Sequence, residues 1–439
     1  MPFADDVKDT LMQVISYVAA HPESSCINPG KDFSRNRKLP LTDLLKFCIC
    51  MGDGSTKKEI LQFFDYSADA PSNSAFLQQR EKLHPDVFNS IFHLFNSNFK
   101  PALYMDKYQL VACDGSAFSY TKYPQDADCY FPPDGKSSSG YNQAHVITLY
   151  DILSKRYCDA VIQPARLKNE YLAMAQIVQR LSPSCGVPVF IADRGFASYN
   201  IFANVIERGF FFLIRADKKR FQAMLGSDYP QQPSFDIHIT RILTRSTSIK
   251  KRLHPELGSL YRYICNNVPF DFIEPRSGIE YTMHLRALRF SINANSYENI
   301  ITNLPDDIFT LENIRDLYHL RWDIENSFRE FKYILGAGRF HSRKFKFICM
   351  EIWARMVLYN FCSTITTGSI VSKKGPKHAH QVNRTIIFNA CIYLLGLHPG
   401  EDPPDIDALV ARNTLPVRHD RSFIRHLRTR VPTIFLYRT

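Results

Sequence analysis

Two aspartates in this chain directly follow runs of apolar residues: Asp114 after Leu110-Val111-Ala112-Cys113, and Asp193 after Val189-Phe190-Ile191-Ala192. Each run reads as a buried strand. Each carboxylate is therefore expected at a strand end, on the rim of a sheet where α/β folds gather metals and ligands. An Asp beside a Gly is also a common turn, and that reading covers either residue taken alone. Further along, Tyr318, Arg321, Glu325 and Lys332 stand at offsets of three, seven and fourteen within one predicted helix. At ~100° per residue all four fall within about 60° of arc. The apolar Leu317, Ile324, Phe328, Phe331 and Leu335 form a stripe centred about 110° away. One edge of this helix is thus predicted to pack, while its neighbour presents a phenol, a guanidinium, a carboxylate and an ammonium together. A plain solvated face with an Arg321–Glu325 pair at i,i+4 accounts for the same spacing.

Neighbouring polar residues sort by position. Asp323 lies on the same helix, but only Glu325 shares the arc of Tyr318 and Lys332. Trp322 sits about 40° from Tyr318. A core position is expected for it from how often Trp is buried, with stacking against a nucleic-acid base as the alternative. Arg194 and Lys344 read as solvated charges by default, with phosphate contact as the functional option. His145, His319 and His341 have no partners at triad or metal spacing and read as structural histidines.

The elements that must position these groups follow from the hydrophobic periods. Residues 1–100 read as helical, with starts near Thr42 and Ser55 and a third candidate from Ser74 to Leu83. Their basic residues Arg35, Arg37, Lys38, Lys57, Lys58, Arg80 and Lys82 suit either a DNA-binding bundle or a solvated face. From Tyr108 the pattern becomes three strands, a helix, a strand, a helix and a strand, the order of a ribonuclease-H-like α/β core over 101–216. Alternating segments over 217–305 read as a β-rich insertion. Residues 306–365 hold the helix of Tyr318 to Lys332, and 366–439 read as a helical and basic C-terminal region. From Arg412 onward that region carries seven arginines against one acid, Asp420.

Composition narrows the partners. The chain has 439 residues, 54 Lys+Arg against 43 Asp+Glu and a net charge of +11. That excess suits a polyanion. The longest apolar clusters, Phe210–Ile214 and Leu44–Met51, fall well short of the ~20 residues that span a bilayer. The acidic N-terminus has no signal-peptide pattern, so a cytoplasmic protein without a membrane partner is expected. The 11 cysteines are scattered, with no C-x-x-C, and read as reduced thiols.

Asp114 in VACDGSAF, Asp193 in IADRGFASYN and the spacing Tyr318-x2-Arg321-x3-Glu325-x6-Lys332 in YHLRWDIENSFREFK together resemble bacterial insertion-sequence DDE transposases. The match is to the "insertion-sequence four" type with its Y-R-E-K helix. RKLPLTDLL near the start and RSFIRHLRTRVP near the end extend the resemblance over nearly the whole chain. It implies that Asp114, Asp193 and Glu325 are catalytic and hold two divalent cations, Mg2+ with Mn2+ as a substitute. Two such ions ~4 Å apart activate the attacking oxygen and stabilise the leaving one in phosphoryl displacement. The resemblance also assigns Tyr318, Arg321 and Lys332 to DNA phosphates, with Arg194 and Trp322 as further DNA contacts. It implies cleavage at terminal inverted repeats and joining to target DNA, with hairpin ends, by a homodimer that holds two ends. A nuclease on the same core that cuts without joining is one rival. A non-catalytic DNA-binding derivative is the other.

Overall fold

The computed structural model describes residues 3–416 apart from 36, 135–138, 184, 247–259, 294–295, 369–379 and 399. The arginine-rich stretch beyond Pro416, including RSFIRHLRTRVP, lies outside them. The chain opens with helices α1 (Phe3–Ala19), α2 (Pro22–Ser25), α3 (Leu41–Cys50), α4 (Thr56–Phe63), α5 (Asn73–Arg80) and α6 (Val87–Ser97). The starts near Thr42 and Ser55 hold to within a residue, although neither side chain caps its helix.

A ten-stranded mixed sheet follows. Its strands are β1 (Tyr108–Tyr120), β2 (Tyr130–Phe131), β3 (Tyr141–Asp151), β4 (Arg156–Pro164), β5 (Val187–Ala192), β6 (Phe211–Arg215), β7 (Phe235–Thr244), β8 (Tyr261–Tyr263), β9 (Glu280–Asn293) and β10 (Ser296–Thr302). The order across it is β2-β3-β1-β5-β6-β10-β9-β7-β8, with β4 on β3. β1, β5 and β6 run parallel at its centre, and β3 and β10 flank them antiparallel. β7, β9 and β10, read from sequence as an insertion, continue this same sheet through the β6–β10 pairing.

Strand alternation divides the core into two layers. Val111, Cys113, Phe190, Ala192, Phe212 and Ile214 face α7 (Glu170–Arg180), α8 (Tyr199–Glu207) and α9 (Lys218–Leu225). Leu110, Ala112, Phe118, Val189, Ile191 and Leu213 face the other way. That second face meets α10 (Leu311–Leu320), α11 (Trp322–Tyr333) and α12 (Phe345–Gly368), with α13 (Arg384–Gly396) and α14 (Ile406–Arg412) behind. α12 is buried on all sides through its middle, as a helix at the centre of a bundle must be. The N-terminal helices α1, α3 and α6 pack around it.

α12 carries two buried charges that bind distant segments. Arg355 donates to the carbonyls of Gly336 (2.8 Å), Gly52 (2.7 Å) and Arg339 (2.8 Å). Glu351 accepts from Arg80 (3.1 Å) and from His341 Nδ1 (3.2 Å), and His341 Nε2 lies 3.1 Å from Glu59. Arg80 therefore does not belong to a basic surface. It is buried against Glu351 and over the Phe347 ring at 4.5 Å. Burial works against charge on His341, but the bonds to Glu351 and Glu59 outweigh it and raise its pKa above the ordinary 6.5. Burial likewise works against the Glu351 carboxylate, yet His341, Arg355 and Arg80 bring it down to about 2.

Behind β1, the missing side chain of Gly115 makes room for β3. A Cβ there would stand 2.7 Å from Ile147 Cδ1 and 2.8 Å from His145 Nε2. Gly115→Ala is expected to lower stability by about 1–3 kcal/mol through overpacking, read by chemical denaturation. An unchanged midpoint would mean that β3 yields freely.

The His341 cluster has a definite pH window. The raised His341 contributes stability fully below its unfolded value near 6.5, and loses it as pH rises through the higher folded value. The depressed Glu351 contributes above its unfolded value near 4.5, and loses it as pH falls through about 2. Both act together between pH 4.5 and 6.5. His341→Asn should lower stability by about 3 kcal/mol at pH 6 and by less at pH 9, measured by thermal melting at both values. An equal loss at the two pH values would show that the charge on His341 contributes nothing.

Candidate active site

Asp114 does not end its strand, as the sequence suggested. β1 continues to Tyr120 because Asp114 to Tyr120 still pair with β3. On the other side the expectation holds, since pairing of β1 with β5 stops at Cys113↔Ala192. Asp114 thus stands where the parallel ladder opens. Asp193 directly follows β5 and caps the 3₁₀ turn Arg194–Phe196, its Oδ1 accepting from the Gly195 amide at 2.7 Å. Asp114 Oδ1 accepts from the Gly115 amide at 2.8 Å. The β5–β6 register ends at Ala192↔Ile214, so Asp114, Asp193 and Arg215 continue three neighbouring strands in one row. By alternation all three share the face of Ala112, Ile191 and Leu213, the face that receives α10 and α11.

The predicted single helix is two, α10 and α11, joined at Arg321. Arg321 keeps helical angles (φ −51°, ψ −32°), but its amide bonds the Tyr318 carbonyl, and the Ile324 amide bonds the Arg321 carbonyl. These i→i+3 bonds tighten the helix for about one turn. Thr310 and Asn313 form a capping box at the start of α10. The apolar stripe is buried as predicted, with Phe331 edge-on to Phe118 at 5.7 Å.

The polar arc turns inward to the sheet. Tyr318 is 3% exposed and Arg321 6%, so neither lies open on a solvated face. Arg321 Nη2 donates to Glu325 Oε1 at 3.0 Å. Lys332 Nζ donates to Ser116 Oγ at 2.7 Å and sits 4.7 Å above the Phe118 ring. Asp114, Ser116 and Phe118 alternate along β1, which brings Glu325 and Lys332 to the same strand face as Asp114. Trp322 is 45% exposed, not a core residue, and begins α11 directly after the joint at Arg321. The Arg321 guanidinium lies 5.0 Å from its ring. Arg194 is exposed. Lys344 reaches Glu81 at 3.5 Å on the surface, away from this group.

The electrostatics tie these residues into one unit. Burial, together with the charges of Asp193 and Glu325, pushes the Asp114 carboxyl up to about 7, against the Gly115 amide and Arg321. Burial raises Tyr318 to about 12. Arg321 is raised despite burial by Tyr318, Glu325 and Asp114, and burial lowers Lys332. Asp323, the rival carboxylate, is paired with Lys155 of the β3–β4 turn. Two participants escaped the sequence reading. Ser116 was visible only as the residue two beyond Asp114, and Arg215 only as the last residue of its apolar run.

The donor set suits a hard divalent cation, since carboxylate oxygens are its preferred ligands. Burial raises Asp114 first and the charges of Asp193 and Glu325 add to it, and a cation among the three carboxylates would oppose that rise. Among the described residues no three His, Cys, Asp or Glu side chains stand close enough to hold an ion as they are. Glu325 Oε1 accepts from Arg321 in this arrangement. No helix among the described residues is long and apolar enough to cross a membrane, and the described cysteines are free.

Comparison with known proteins bears on this arrangement. The chain is 30% identical over 116 residues to the transposase for insertion sequence element IS1151 of Clostridium perfringens. That stretch is 26% of this chain and 24% of the relative, so the chain spans about a quarter of the curated protein it matches. Among solved structures, the cryo-EM structure of the piggyBac transposase synaptic complex with hairpin DNA is similar with a TM-score of 0.46 and 11% identity. It covers 96% of this chain and 87% of its own. The family model of the transposase DDE domain matches residues 106–361, a span that takes in Asp114, Asp193, Glu325 and Lys332. With more than half of its length inside that match, the chain belongs to the transposase DDE domain family.

Proposed function

We propose that this chain is a DNA transposase of the "insertion-sequence four" type, built on a ribonuclease-H-like core, that cuts at terminal inverted repeats and joins the freed 3′-OH to target DNA. What supports the reading is that Asp114 and Asp193 continue adjacent strands in one row, on the sheet face that receives the helix of Glu325. Asp114 and Asp193 are oriented by the backbone amides of Gly115 and Gly195, and Glu325 joins them from α11. When bound, two Mg2+ or Mn2+ ions supply activation of the attacking oxygen and stabilisation of the leaving one. Lys332, with Ser116 beneath it, offers a partly desolvated ammonium to a phosphate oxygen. Arg321 offers a planar fork suited to two phosphate oxygens. Trp322, exposed beside Arg321, offers a face on which a base of an opened end stacks. Arg194 extends the basic rim. Release of the second strand through hairpin ends, and a homodimer holding two ends, complete the proposal. The 1–100 helical region serves end binding, and the charge of +11 suits the DNA partner.

Labelled DNA bearing the repeats that flank this gene tests the reading. Nicks at the repeat boundary are expected with Mg2+ and not with chelator, and a joined product with added target. Glu325→Ala should reduce cleavage by about ten-thousand-fold. Asp323→Ala should keep cleavage and lose about 1 kcal/mol of stability at most, since its partner is a half-exposed lysine. Cutting without joining would select the nuclease, and binding without cutting would select a non-catalytic derivative.

Salt dependence tests the phosphate contacts separately. Arg321→Ala and Lys332→Ala should each reduce the slope of log K against log salt for end binding by about one unit. A slope equal to wild type would remove that residue from the DNA.

A further inference from the structure

The turn that carries Asp193 is held from outside by one side chain whose role lies beyond the three carboxylates and their helix. Arg220 lies in the first turn of α9, in the segment that follows β6. Its Nη1 donates to the carbonyl of Arg194 at 3.1 Å and to that of Ala197 at 2.9 Å. The same nitrogen reaches the Tyr171 hydroxyl on α7 at 3.3 Å. Arg220 is itself fixed, because Asp217 caps α9 by accepting from the Arg220 amide at 2.9 Å and lies 3.8 Å from its Nε.

The bracketed turn is the one that aims the carboxylate. Asp193 Oδ1 is oriented by the Gly195 amide, and Gly195 sits between the two carbonyls that Arg220 grips. Phe196, within the same turn, is buried and anchors its inner side. The amide that orients Asp193 is thus clamped by apolar packing on one side and by a guanidinium on the other. The sheet cannot provide this clamp, since β5 ends at Ala192 and Asp193 lies beyond the ladder.

We propose that Arg220 is a positioning residue for Asp193, setting the affinity of the carboxylate site for a divalent cation without touching the cation or DNA. The proposal rests on the functional reading given above. Outer partners of metal ligands act in this way, through the orientation of the ligand.

The test titrates Mn2+ alone into the full chain and follows the free-ion electron paramagnetic resonance signal. Asp193→Ala serves as the reference for ions taken by this site. Arg220→Gln should weaken Mn2+ binding about ten-fold, at the low end for outer-shell partners. Its melting temperature in the absence of metal should stay within about 2 °C of wild type. Arg220→Lys, which can still donate to a carbonyl, should recover part of the affinity. Mn2+ affinity equal to wild type in Arg220→Gln would overturn the proposal. Should that variant melt early, Tyr171→Phe carries the test, since it removes only the outer support of Arg220. Weaker Mn2+ binding at unchanged melting then supports the proposal, and wild-type binding overturns it. If Asp193→Ala itself binds Mn2+ as wild type does, the carboxylate site is refuted, and the function proposed above falls with it.

Discussion

Asp114 is a half-buried carboxyl close to two others, and burial first, then their repulsion, work against its charge. Its counterweight is Arg321. The guanidinium bonds Glu325 at 3.0 Å, and its charge opposes the rise of Asp114 that burial, Asp193 and Glu325 produce. A buried charge of this kind is tolerable only when paired on several sides. Arg321 meets that condition in part, through Glu325, the Tyr318 ring at 5.8 Å and the Trp322 ring at 5.0 Å, while its buried Nε has no hydrogen-bond partner among the described residues. The tightened joint between α10 and α11 lies at this same residue, so one position sets both the local helix geometry and the charge balance.

The rest of the fold holds that position against the sheet. α11 packs by Ile324, Phe328 and Phe331, and α12 covers it from behind while Arg355 and Glu351 tie down the loop that leaves α11. The helix could not be shifted by a turn without losing Lys332 from Ser116 and Phe331 from Phe118. Cores transmit such constraints because they are packed like solids, with few soft directions. The N-terminal helices join the same lock through Arg80 and Glu59, which makes the helical start of the chain part of the scaffold of the candidate site.

The apolar runs before Asp114 and Asp193 were legible because a buried parallel strand needs an unbroken apolar sequence. The helix spacing was legible because 3.6-residue geometry turns offsets into directions. What escaped was everything set by a partner distant in sequence. Asp114 looked like a strand end because the Gly that follows it is a turn former, yet β3 supplies bonds that carry β1 on to Tyr120. Arg80 looked like surface charge because nothing near it in sequence names Glu351, 271 residues away. Trp322 looked like core because large aromatics usually are, yet it stands exposed at the start of α11. A hydrophobic stripe says which side of a helix packs. It does not say whether the neighbouring polar side is also covered.

That last point changes what the Y-R-E-K spacing means physically. Four polar residues on one arc suggest a face open to solvent, but the structure closes most of it against β1 and the adjoining strands. Tyr318 and Arg321 are buried, Lys332 is half-buried over Phe118, and Trp322 alone stands well exposed. An ammonium or guanidinium already stripped of much of its water interacts with an arriving anion far more strongly than a hydrated one. The desolvation has been met in folding, and burial already lowers Lys332 accordingly. Under the proposed function, a phosphate entering this site would meet charges held in place and partly dry. A phosphate that engages Arg321 also competes with Glu325 for it.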